Sequence, residues 1–141
     1  MATRTIRHRL RARWAAARAD DSGAVALEAA VVVPVLLIVA FALIQIGLYQ
    51  HANNVAQSVA NGAVQVARID GGTDQAGYAE AHSRLSNANG GLPEASVSIA
   101  RGAQNVTVTV TGKVISIVPL LPNLTVSQTA TGAIERFEGQ P

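Results

Sequence analysis

The sequence predicts an α+β protein: a long N-terminal helix, apolar in its first half and amphipathic in its second, then a short helix and a small antiparallel sheet of three or four strands. Three observations predict it. Apolar residues dominate the stretch from Ala24 to Tyr49, which contains a single charge. Apolar side chains then recur every three or four residues as far as Ala67. After Pro93 the period falls to two, with Val and Ile alternating with Ser and Thr. Side chains repeat every 3.6 residues around a helix and every two along a strand, so that change marks the passage from one to the other.

The apolar stretch from Ala24 to Tyr49 is 26 residues long. As a helix it spans about 39 Å, enough for a hydrocarbon core ~30 Å thick. Residues 24–50 are therefore expected to cross a membrane. Gln45 is the first uncharged polar side chain after Glu28, and Tyr49 stands where an interfacial aromatic belongs. Pro34 is expected to bend the helix, because its ring nitrogen has no hydrogen to donate; membrane helices tolerate this better than soluble ones.

Past Tyr49 the stripe of Ala52, Val55, Ala56, Val59, Ala63, Val66 and Ala67 is separated by Asn and Gln, which predicts an amphipathic extension over 51–72. Asn61-Gly62 reads as a turn dipeptide, yet the stripe resumes in phase after it. Arg68 suits a helix C-terminus, and Gly71-Gly72 ends the element. A second helix is expected from Thr73 or Asp74 to about Asn87, with Ala76, Ala81, Leu85 and Ala88 on its apolar face.

The run Asn89-Gly90-Gly91-Leu92-Pro93 is a loop. Val97 and Ile99 define one strand, Arg101-Gly102 a turn, and Val106, Val108 and Val110 a second strand. Gly112 is expected to mark a bulge before a further extended segment over 114–118. Pro119-Leu120-Leu121-Pro122-Asn123 is a turn, and a last strand covers 124–134. Such a sheet has one apolar face, and the amphipathic half of the long helix is the available cover.

Charge is distributed unevenly. Charged residues make up 14 % of the 141-residue chain and apolar ones 49 %, against about 25 % charged in ordinary soluble domains. Residues 1–23 carry Arg4, Arg7, Arg9, Arg11, Arg13 and Arg18 against Asp20 and Asp21, whereas acidic groups outnumber basic ones in residues 24–141. Clustered arginines bind phosphates in other settings. Beside a membrane segment they fix orientation by remaining on the cytoplasmic side. No nucleic-acid partner is expected.

Nor is an enzyme. The chain has no Cys, so disulfides, thiol nucleophiles and thiolate metal sites are excluded. His8, His51 and His82 lack the spacing of metal ligands on one helix face. No strained Gly-x-Ser-x-Gly turn accompanies the serines, and Gly71-Gly72 and Gly90-Gly91 terminate elements rather than cradle phosphate. Asn105-Val106-Thr107 and Asn123-Leu124-Thr125 fit a glycosylation sequon, as chance matches in a Thr-rich region do. No cofactor is expected, and no internal repeat is present.

Glu28 is the informative exception. It is the only formally charged side chain between Asp21 and Arg68. A charged side chain at the centre of a membrane helix costs about 2.5–3.5 kcal/mol, and less near its edge. Glu28 lies about one turn into the segment, where it can reach back toward the headgroups. A secretory signal peptide is the competing reading, with an arginine-rich start, an apolar centre and Ala40-Phe41-Ala42 as a cleavage site. Against it, the apolar run continues through Leu43, Ile44, Ile46 and Leu48. A signal peptide also gains nothing from a carboxylate at position 28.

A basic leader ending in Gly23, an apolar segment starting at Ala24, and Glu28 as its fifth residue resemble the processing site of type IV pilins and pseudopilins. The resemblance implies cleavage between Gly23 and Ala24 by a prepilin peptidase at the cytoplasmic face. Family members often start with a bulkier apolar residue; Ala24 is common in the tight-adherence (Flp pilus) branch. The layout beyond is similar to the TadE-like minor pseudopilins, with a long helix, a small β region, an Ala-rich strand and an acidic tail like residues 130–138. The implied organisation is a leader over 1–23, a transmembrane helix over 24–50, its extension over 51–72 and an exocytoplasmic α+β region over 73–141.

The implied partners are the lipid bilayer, the prepilin peptidase, other pilins or pseudopilins and the inner-membrane assembly platform. Glu28 would meet the freed amine of a neighbour's residue 24 in an assembled bundle. The principal pilins of these systems are much shorter, so the β region argues for a minor subunit or assembly factor. Two alternatives stay open: a surface binding module unrelated to pili that uses the open sheet edge, and a pseudopilin of a secretion system.

Overall fold

A computed structural model describes residues 22–118 and 124–135. The leader over 1–21, the expected turn over 119–123 and the tail over 136–141 lie outside the described residues. The chain divides into two compact units, Met1–Ala40 and Phe41–Pro141. All described residues of the first unit belong to helix α1 (Ser22–Arg68), which continues into the second. Ala, Leu and Val dominate the start of α1, and the helix runs through Pro34 without interruption.

The second unit adds α2 (Asp74–Asn87), β1 (Ser96–Arg101), β2 (Asn105–Lys113) and β3 (Thr125–Ala133). α1 stops at Arg68, its one basic residue in the last turn. Gly71 then takes a φ of 72°, a left-handed conformation that side chains with a Cβ resist, and the Gly72 N–H closes the turn onto the Ile69 carbonyl at 2.8 Å. Thr73 caps α2 as its hydroxyl accepts from the Ala76 N–H at 3.1 Å, with Asp74 in the first turn.

The three strands form one antiparallel sheet in the order β1-β2-β3. Register is fixed by pairs such as Val97 with Val110 and Val108 with Ala130. Val106, Val108, Val110, Val126 and Ala130 belong to the same buried cluster as Ala52, Ala56, Val59, Ala60, Ala63, Val64 and Ala67 of α1. The amphipathic part of α1 covers the sheet, as its stripe required, and alanine supplies most of the helix side of the core. Across β2 and β3 the outer positions pair as Thr107 with Thr131, Thr109 with Thr129 and Thr111 with Ser127, at 3.0–3.2 Å between hydroxyls.

Two local expectations need correction. Gly112 forms no bulge: it pairs in register with Val126, inside an unbroken β2. Its buried position lies under Leu92, whose Cδ1 would stand 2.6 Å from a Cβ built there. Residues 114–118 form no strand; one ladder-like bond continues past β2, from the Val114 N–H to the Leu124 carbonyl at 2.8 Å. At Asn61-Gly62, by contrast, α1 passes through the turn dipeptide, as the stripe that resumes in phase beyond it predicts. Gly62 is buried there because the guanidinium stem of Arg84, from α2, occupies the space a side chain would need.

Candidate functional site

Positions 23–44 of α1 are exposed without exception. Val25, Leu27, Val31, Leu36, Ile38 and Leu43 are each more than 60 % exposed. The most apolar window of the helix has a mean hydropathy of 2.8, with 6 % of it buried. A soluble monomer does not leave such a contiguous apolar surface in water. The segment is long and apolar enough to cross a membrane, and it fits a single-pass membrane protein.

Within this segment helical bonding satisfies most of the backbone, as lipid demands, Pro34 being the interior residue without an N–H to donate. The exposed Glu28 carboxylate is different, for it has no ion-pair partner among the described residues. Ala24 and Glu28 are four residues apart, so they share one helix face a single turn apart. Gly23 has nothing within 4 Å of where a Cβ would stand, so its lack of a side chain serves no packing purpose in the fold. Pro34 lies two turns beyond Glu28 in the same exposed segment. Among the described residues, the arrangement places one unpaired acid near the start of an exposed apolar helical segment.

The second unit contains a polar feature whose partners the sequence pattern did not reveal. Gln45 is the one buried polar side chain among the described residues, at 5 % exposure. Its amide nitrogen donates to the Ile115 carbonyl at 3.2 Å, and its amide oxygen accepts from the Ile117 N–H at 3.0 Å. One side chain thereby satisfies a donor and an acceptor of a segment that no strand pairs. The available signal was the amide itself: a polar group ending an apolar run needs a partner. Beside it is a cavity of about 260 Å³ lined by Ala42, Gln45, Ile46, Tyr49 and Leu124.

A larger groove of about 570 Å³ runs between α1 and α2, lined by residues including His51, Ser58, Glu80 and Arg84. Arg84 is engaged within it, bound to Glu80 at 2.6 Å and to the Ser58 hydroxyl at 3.5 Å. Arg101 works differently, as a tie between β1 and the helices. Its guanidinium donates to the Ala67 carbonyl at 2.7 Å and the Gly72 carbonyl at 3.2 Å while pairing with Asp74 at 2.6 Å. Arg68 in turn pairs with Glu135 at 3.0 Å, and its carbonyl accepts from the Glu135 N–H at 2.8 Å. These charges fasten the C-terminal end of α1 to α2, to β1 and to the residues just past β3.

A family model described as TadE-like protein matches residues 23–65. The match starts on Gly23 and takes in Ala24, Glu28, Pro34 and Gln45, together with most of the helix that covers the sheet. No curated protein and no solved structure matched the chain.

Proposed function

Since residues 23–65 are TadE-like, we propose that this chain is a minor pseudopilin or assembly factor of a bacterial tight-adherence (Flp, type IV-like) pilus. A prepilin peptidase cuts it between Gly23 and Ala24, and it remains anchored by α1 in the cytoplasmic membrane. The six leader arginines hold residues 1–23 in the cytoplasm and leave the sheet outside. The protein works by assembly with other pilins or pseudopilins and the inner-membrane platform, not by catalysis, and it needs no cofactor. The observation that carries this reading is the exposed apolar segment of α1 with Glu28 as its only charge, five residues beyond Gly23.

Glu28 supplies the drive toward assembly. In lipid its charge lacks compensation, and a neighbour's amine at residue 24 supplies it. Glu28→Gln keeps the size and the helix propensity but removes the charge, so insertion is as good or slightly better. Crosslinked complex per mature molecule is the quantity to compare with wild type. A variant that matures normally and loses recruitment to pilus complexes supports pairing; equal yields refute it.

A further inference from the structure

The clamp made by Gln45 fixes where an apolar segment of the distal unit lies. Ile115 and Ile117 are 46 % and 39 % exposed, although their backbones are bound to α1 through that one amide. On α1 the residues flanking Gln45 are themselves exposed and apolar: Leu43, Ile44 and Ile46. Residues 114–118 are therefore held at the level where the apolar run of α1 ends, not at the level of its polar extension. No charged residue occurs between Lys113 and Glu135, and Lys113 is itself paired with Glu94 at 2.6 Å.

We propose that residues 115–117 are a second lipid contact, with Ile115 and Ile117 entering the leaflet that surrounds residues 41–49 of α1. The occupant follows from continuity. Leu43, Ile44 and Ile46 face lipid if α1 spans a bilayer, and the bonds to Gln45 hold the two exposed isoleucines at that same level of the helix. The cavity lined by Ala42, Ile46, Tyr49 and Leu124 opens at the same level and offers an acyl chain an apolar seat. The amide that would oppose lipid there is already engaged, so its burial carries no unsatisfied group. Anchored at two points, the sheet has a restricted orientation over the membrane, and interfacial elements of this kind bury their apolar faces ~5–10 Å into the headgroup and acyl boundary.

The inference rests on the membrane reading of α1 but not on cleavage at Gly23. The chain has no cysteine, so single-cysteine variants take a fluorescent label at one chosen site. The full-length protein is reconstituted in phosphatidylcholine vesicles containing two nitroxide lipids, one labelled near the headgroup and one deep in the acyl chain, so that the centre and the edge of the bilayer are both within reach of a quencher. Labels are placed at Ile117→Cys, at Leu37→Cys within the apolar run, and at Ile69→Cys, which is as exposed as Ile115 at 46 % but lies just past the C-terminal end of α1. The expected result is loss of most emission at 37 and 117 with little loss at 69. Quenching at 37 but not at 117 overturns the second contact alone. A blue-shifted label at 117 that neither nitroxide lipid quenches puts a protein surface there and also overturns it. No quenching at 37 or 117 overturns the membrane reading along with it.

Discussion

Gly112 tests whether the core is packed as described. A bulge glycine is required for its backbone, and adding a methyl group there strains φ and ψ. Gly112 instead sits in a regular ladder opposite Val126, and a Cβ would meet the Leu92 side chain, with Cδ1 at 2.6 Å and Cδ2 at 3.0 Å. Gly112→Ala should therefore destabilise by about 1–3 kcal/mol, as overpacking does. Leu92 is 6 % exposed, and Leu92→Ala should cost about 2–5 kcal/mol through lost burial and a residual cavity. In the double variant the new methyl group occupies part of the space that Leu92 vacates. Its total should fall short of the sum of the single effects by ~1 kcal/mol or more, within the range seen for residues in contact. Denaturant unfolding of all four proteins in the same detergent, monitored by circular dichroism, measures the cycle. Additivity within ~0.5 kcal/mol would refute the packing account of Gly112 and return the position to a backbone requirement.

Two further perturbations address the polar ties. Gln45→Leu removes both bonds to residues 115 and 117, and at about 0.5–1.5 kcal/mol per bond it should release that segment without unfolding the sheet. Hydrogen exchange should then speed up at the Ile117 amide while the β2 amides stay protected; unchanged exchange at Ile117 would show that the clamp does not hold the segment. Arg101→Ala removes a guanidinium that binds two carbonyls and Asp74 from a side chain 28 % exposed. After allowance for solvent screening, a loss of about 1–2 kcal/mol in denaturant unfolding is expected, and a change below ~0.3 kcal/mol would remove Arg101 as a structural tie.

What the sequence made legible was periodic. The stripe from Ala52 to Ala67 and the alternation of Val106, Val108 and Val110 each bury one face, so each carries its own signature. Thr73 and Gly71 mark element ends through local chemistry, a hydroxyl and a left-handed φ, and such chemistry can be read from single residues. The misreadings share a different cause. Gly112 reads as a bulge by local pattern, which cannot show that Leu92, distant in sequence, lies over it. Residues 114–118 look like a strand by composition, yet Gln45, 70 positions away from Ile115, takes up their backbone bonds instead of a neighbouring strand. Gln128 likewise lies on the inner face of β3 because Asn53 of α1 accepts its amide at 2.9 Å. Gly23 and Glu28 are singled out by their spacing alone, because the geometry proposed for them lies within one short stretch of one helix. Gln45 is not, because its partners are tertiary.

Maturation of the chain tests the central claim most directly. Membrane and soluble fractions are separated from cells that make the full-length protein alongside a prepilin peptidase, and the N-terminus of each product is sequenced. The account predicts a membrane-bound product that starts Ala-Val-Ala-Leu-Glu at Ala24, and full-length, membrane-inserted protein for Gly23→Ala. That substitution meets nothing within 4 Å in the fold, so blocked processing would reflect the cut site and not misfolding. A soluble product that starts Leu-Ile-Gln at Leu43 would contradict the account, because it would make the apolar helix a discarded signal rather than an anchor.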